Sequence, residues 1–70
     1  AGRIDLVVET SENIYILELK MSDNGGVVSA SHQISSRHYA DAYAASSKPV
    51  ISLALEFDRQ SRGLMDWKML

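Results

Sequence analysis

The chain predicts an α/β fold of element order ββαββ, a mixed sheet with one crossover helix. Three observations carry this. Two apolar runs rich in β-branched and aromatic residues, Ile4-Asp5-Leu6-Val7-Val8 and Ile14-Tyr15-Ile16-Leu17, are separated by a short polar segment. A stretch with helical spacing follows a glycine pair. Beyond Lys48-Pro49 come two further strand-like runs, so the helix sits between strands and allows its two neighbours to pair in parallel.

The first two runs read as a hairpin. Thr10-Ser11-Glu12-Asn13 between them has the composition of a tight turn. Strand periodicity puts Ile4, Leu6, Val8 with Tyr15, Leu17, Leu19, Met21 on one face. Asp5, Val7, Glu9 with Ile14, Ile16, Glu18, Lys20 fall on the other. A turn centred between Ser11 and Glu12 pairs residues whose numbers sum to twenty-three, which sets Asp5 opposite Glu18 with Cβ atoms roughly 5 Å apart. A slip of one residue would send the two acids to opposite faces.

Ser22-Asp23-Asn24-Gly25-Gly26 ends the second run. The glycine pair lacks the spacing of a phosphate-binding loop and reads as a flexible connector. From about Val27 to Ser46 the pattern is helical, with Val27, Ala30 and Ile34 in one stripe and Tyr39, Ala42, Tyr43 and Ala45 prolonging an apolar surface. Pro49 stops it. Residues 50–57 read as a buried strand, 58–63 as a loop, and 64–70 as a short final strand.

Composition bounds the answer. Seventy residues make at most one small domain, and a chain of that size buries only about 60 to 65% of its unfolded surface. The absence of cysteine excludes a disulfide framework and a thiolate metal site and fits a cytoplasmic setting. No apolar stretch is long enough to span a bilayer and no signal-peptide pattern opens the chain, so no membrane partner is expected. Ala1 reads as a cut end. A net charge of −2 is unlike that of a free-standing nucleic-acid binder, so any grip on nucleic acid needs a local basic patch or parts outside this chain.

The chemistry lies in the charges. Asp5, Glu18 and Lys20 are embedded in apolar strands, where a charge is costly unless it is paired or binds a metal. Two close carboxylates repel and raise each other's pKa unless a cation intervenes. Mg2+ or Mn2+ removes that penalty, and one or two carboxylates with retained waters suits magnesium. Lys20, two residues after Glu18, shares its face. Its ammonium is placed to polarise an attacking water or to stabilise charge on a phosphoryl oxygen. The plain alternative is an ion-pair cluster of Glu18, Lys20 and Asp5 with no reaction attached.

Gly2-Arg3-Ile4-Asp5-Leu6 followed by Tyr15-Ile16-Leu17-Glu18-Leu19-Lys20 resembles motifs II and III of the PD-(D/E)XK nuclease superfamily. The likeness is strongest to the bacterial branch found C-terminal to an AAA-type ATPase-like region. It continues through Gln33-Ile34, Tyr39-Ala40-Asp41-Ala42-Tyr43, Pro49-Val50-Ile51, Phe57-Asp58, Arg62 and Asp66-Trp67-Lys68, covering practically the whole chain. Ile4 stands where the superfamily name has proline. The resemblance implies a partial restriction-endonuclease-like core, residues 1–70, that starts at motif II without the first core helix and strand. It implies a metal-dependent deoxyribonuclease centre with Asp5 and Glu18 as side-chain ligands, the Leu19 carbonyl as a further ligand and Lys20 as catalytic cation. Gln33, on the helix after this motif, inherits a place near the metal, where it can contact substrate or the attacking water.

Around that centre, Gln33 and Arg37 share a helix face, and Arg37 is a candidate phosphate contact through its planar fork of donors. The solvated alternative pairs it with Asp41. Tyr39 is the other candidate substrate contact, by base stacking, although its i, i+4 spacing with Tyr43 favours core packing. His32 and His38 form no metal-binding spacing and read as structural. Trp67 is expected to cap the core with Arg62 packed or stacked on it, and Met65 and Met69 are apolar filler.

Three functions follow in order of preference: a Mg2+- or Mn2+-dependent DNA phosphodiesterase within a longer ATPase-linked protein, a non-catalytic dimerisation or regulatory module, and a bare fold fragment. Three charged residues on a buried face, Asp5, Glu18 and Lys20, are a needless cost for a scaffold. With one helix to cover a two-faced sheet, a homodimer of this chain is also expected.

Overall fold

Alternation of apolar and charged residues becomes a four-stranded sheet of order β1-β2-β3-β4 in the computed structural model, which describes residues 5–70. Gly2, Arg3 and Ile4, the opening of the first motif, lie outside the described residues. Strands β1 (Leu6–Glu9) and β2 (Ile14–Met21) are antiparallel, with Leu6 opposite Leu17 and Glu9 opposite Ile14, the register expected from the turn. Thr10 sets that turn. Its hydroxyl accepts from the N–H groups of Asn13 at 3.0 Å and Glu12 at 3.3 Å, and its own N–H donates to the Asn13 carbonyl at 2.8 Å. Lys48 clamps the same corner from outside, reaching Glu9 at 2.5 Å and the Thr10 carbonyl at 2.9 Å.

After a short 3-10 turn at Ser22–Asn24, helix α1 (Gly26–Arg37) crosses one face of the sheet and delivers the chain to β3 (Val50–Asp58), which pairs with β2 in parallel. Strand β4 (Gly63–Met69) returns antiparallel to β3. Opposite the step from Glu56 to Phe57, Met65 is an extra residue in β4, and Arg62 enters the strand in the left-handed region at φ 57°. The result is the mixed α/β sheet and ββαββ order predicted, consistent with a partial restriction-endonuclease-like core.

The core forms where α1 meets the sheet. Ala30 and Ile34 pack on Ile16 and Ala54, with Tyr39 closing one end and Val27, Tyr43 and Val50 around them. Ala30 and Ala54 are both fully buried, and two small side chains let helix and sheet approach closely. Ile16 is the large apolar anchor, and full burial of such a side chain contributes roughly 1.5–3 kcal/mol.

The helix is shorter than its pattern suggested. It ends at Arg37, His38 takes a left-handed conformation at φ 53°, and Tyr39–Tyr43 continue as a 3-10 turn. Histidine is among the residues that tolerate positive φ, and neither glycine nor proline marks the break. Turning the chain here brings Tyr39 into the core at 4% exposure, a gain that a straight helix would forgo.

The other face has no cover among the described residues. Leu6, Val8, Leu19, Leu64, Trp67 and Met69 are all exposed along it. Trp67, expected to cap the core, is instead 57% exposed on this face. The alternation of β4 points it away from α1, on the side shared with Leu55 opposite.

Candidate functional site

Glu18 lies on the helix side of β2, beside Ala54 of β3, whose small side chain leaves room for it. It is 1% exposed. Its Oε2 accepts a 2.9 Å hydrogen bond from Gln33 Nε2, and its Oε1 is buried with no partner. Burial pushes its pKa up to about 7, and the neighbouring Asp5 carboxyl pushes the same way. Lys20 and Arg37 pull the other way without prevailing.

Asp5 reaches this point from the end of β1. The register that pairs Leu6 with Leu17 carries it to Glu18, and its Oδ2 accepts from the Leu19 N–H at 2.9 Å. The two acids therefore share a face of the hairpin. In an extended strand the N–H and C=O of one residue leave by the same edge, so the Leu19 carbonyl faces the Asp5 side as well.

Gln33 is held from behind. Its Nε2 donates both to Glu18 and to the Tyr39 hydroxyl, the latter at 3.0 Å. The break at His38 makes this possible, because it turns Tyr39 back beneath the helix. Tyr39 thus meets the site through its hydroxyl, and its buried ring is not open to stack on a base. Arg37, in the last turn of α1, is exposed and close enough to act electrostatically on Glu18. The expected pairing of Arg37 with Asp41 is not made among the described residues, since the break removes Asp41 from that helix face. Nor do the acids form an ion-pair cluster with Lys20, which has neither hydrogen bond nor ion pair among the described residues. His32 and His38 are exposed.

The donor set fits a hard divalent ion. The orphaned Oε1 of Glu18, a second carboxylate beside it and an adjacent main-chain carbonyl are oxygen ligands of the kind magnesium and manganese prefer. Among the described residues no group of three or more His, Cys, Asp or Glu is placed to hold a metal. An ion here would keep several waters.

A concavity of about 530 Å³ lies elsewhere, lined by Leu19, Met21, Phe57, Asp58, Arg59 and Arg62. It opens on the bare face, on the far side of the sheet from Glu18. It has the apolar floor of an uncovered sheet and holds none of the acidic cluster, so the buried Glu18 carboxyl, with Asp5 exposed beside it rather than buried as expected, defines the candidate site. Arg62, expected to pack with Trp67, is one of its exposed walls.

One polar constellation escaped the sequence reading. Glu56 accepts from the Ser22 hydroxyl at 2.6 Å and from the Val27 N–H at 2.8 Å. These two bonds hold its carboxyl below the usual range, the hydroxyl contributing most. The signal was an acid inside the apolar run of residues 50–57. Gly25-Gly26 is correspondingly no slack connector. Gly25 and Gly26 have φ of 95° and 59°, and a Cβ at Gly26 would collide with Glu56 Oε1.

A family model described as the PD-(D/E)XK nuclease superfamily matches residues 1–67. The chain is 34% identical over 64 residues to an uncharacterized protein in the vnfD 5′ region of Azotobacter chroococcum mcd 1. That match takes in 91% of this chain and 12% of the relative, so the chain spans about an eighth of that protein's length. No solved structure matches. No helix among the described residues is long and apolar enough to cross a membrane.

Proposed function

Because this chain belongs to the PD-(D/E)XK nuclease superfamily, we propose that Asp5, Glu18, Lys20 and Gln33 form a metal-dependent centre that hydrolyses DNA phosphodiester bonds in the full-length protein. The observation that carries the reading is the buried Glu18 carboxyl, with one oxygen unpartnered and a second acid beside it. Nucleases of this superfamily generally use divalent metals. Asp5 and Glu18, with the Leu19 carbonyl, would hold Mg2+ or Mn2+, whose chemistry is to acidify a bound water and neutralise phosphoryl charge.

The chain's own residues do the rest. Gln33 fixes the Glu18 carboxyl through Oε2, leaving Oε1 as the free ligand. The Leu19 N–H fixes Asp5 through Oδ2. Lys20 offers an uncommitted ammonium on the same face, to polarise the attacking water or to steady the phosphoryl oxygens as charge builds on them. Arg37, exposed at the end of α1, contacts the neighbouring phosphate. The resemblance to the bacterial ATPase-linked branch supports a place for this domain beside an AAA-type ATPase-like region of the same chain, in the cytoplasm.

A plasmid-nicking assay on the full-length protein, with calorimetric metal titration, tests the assignment of roles. Asp5→Ala should lose metal affinity and cleavage together, whereas Lys20→Ala should lose cleavage and keep the metal. Unchanged cleavage by Lys20→Ala sinks the mechanism, and cleavage that persists in EDTA sinks the metal.

A further inference from the structure

Lys20 has a second acid within reach. The parallel register makes Lys20 and Glu56 partners on neighbouring strands. Such partners lie about 4.8 Å apart and project to the same face. A lysine stem spans that distance easily, and an ion pair with Glu56 would draw the ammonium away from Glu18. The pair is not made. Both Glu56 oxygens are already engaged, Oε2 by the Ser22 hydroxyl and Oε1 by the Val27 N–H in the first turn of α1. The positive end of the helix dipole favours the carboxylate there. Gly26 lets it dock, because any side chain at that position would strike Oε1. Lys20, left without a partner among the described residues, acts on Glu18 instead.

We propose that Ser22, with the Gly26-Val27 main chain, is a positioning group that sequesters the Glu56 carboxylate and so keeps the Lys20 ammonium available to the phosphoryl group. The catalytic meaning of this arrangement rests on the nuclease reading above; the choice of partner by Lys20 does not. Ser22 touches no reacting atom. It acts through Glu56 on Lys20.

Removal of the Ser22 hydroxyl frees one Glu56 oxygen, which then competes for Lys20. The test uses the full-length protein and the variants Ser22→Ala and Ser22→Ala/Glu56→Gln. In crystal structures, Lys20 Nζ should lie within ion-pair distance of Glu56 in the single variant and not in the double one. In single-turnover and steady-state kinetics with magnesium, kcat of the single variant should fall about tenfold or more with KM unchanged, and the second substitution should restore it, because a neutral amide does not capture the ammonium. A merely structural lock on α1 predicts the opposite order, with the double variant no faster than the single one. That order, or a Lys20 that stays on the Glu18 side in Ser22→Ala, overturns the proposal. Should Ser22→Ala fail to fold, Ser22→Cys keeps the volume with a much weaker donor and carries the same expectations. A parent protein that cleaves no DNA removes the nuclease reading, and the crystallographic arm still decides which acid Lys20 chooses.

Discussion

Glu18 is a residue whose chemistry opposes its position. Its carboxyl holds a proton up to about pH 7 in the folded chain, whereas an unfolded glutamate releases it near pH 4.5. Between those values the native state binds more protons than the unfolded one, so stability falls as pH rises and levels off above about pH 8. The loss amounts to a few kcal/mol at most. Glu18→Gln removes the titrating group and keeps an acceptor for Gln33, so in metal-free buffer at pH 8 it should melt several degrees above the parent chain, at roughly 4–8 °C per kcal/mol for a domain of this size. The two should converge near pH 4.5. Manganese should raise the parent's melting temperature and leave the variant's unchanged, because it stabilises only the form that binds it. Calorimetry across pH with and without the ion reads all three effects, and an identical pH dependence in both proteins would assign the titration to another group.

At the scale of elements, the break in the helix matters most to the site. The turn at His38 puts the Tyr39 hydroxyl on Gln33, and Gln33 in turn sets Glu18. Tyr39→Phe keeps the buried ring and leaves one Gln33 N–H without that acceptor. A cost of about 1–3 kcal/mol is expected from the lost bond, together with weaker manganese binding, since Glu18 loses its fixed orientation. Unchanged metal affinity in a folded Tyr39→Phe would separate Tyr39 from the site. The sequence made some of this architecture legible and hid the rest for a physical reason. The hairpin register could be read because two independent patterns, apolar alternation and the pairing of Asp5 with Glu18, agree on one alignment. Gln33 could be placed because helical spacing holds as far as Arg37. The break itself left no local mark, since histidine reaches positive φ without the signature of glycine or proline. The Ser22 and Glu56 bonds join residues 34 positions apart, a separation no local pattern spans. Trp67 was misplaced because a tryptophan in an apolar strand looks buried, while its exposure depends on what covers the sheet.

For the whole molecule, the unequal dressing of the two faces sets the expectation. Helix α1 and the turn after it cover one side, and the other presents Leu6, Val8, Leu19, Leu64, Trp67 and Met69 to solvent. Four strands about 4.8 Å apart, β1 of four residues and the others of seven to nine, make a face roughly 20 Å across and, along the three longer strands, roughly 25 Å long, larger than the apolar patch a monomer ordinarily tolerates. Two such faces pack in aligned fashion about 10 Å apart, and a two-fold axis makes one patch complementary to itself. With the rims included, the contact approaches the roughly 800 Å² per partner of a specific interface. This chain on its own should therefore be a dimer at micromolar concentration, with a melting temperature that rises with concentration. Trp67 is the large anchor near the β4 edge, and Trp67→Glu should give monomers, because a buried unpaired carboxylate costs more than the ring contributes. Light scattering on both proteins decides the matter: a parent chain that stays monodisperse, monomeric and cooperatively unfolding at these concentrations would show that the bare sheet is tolerated in water and that no second copy is needed to cover it.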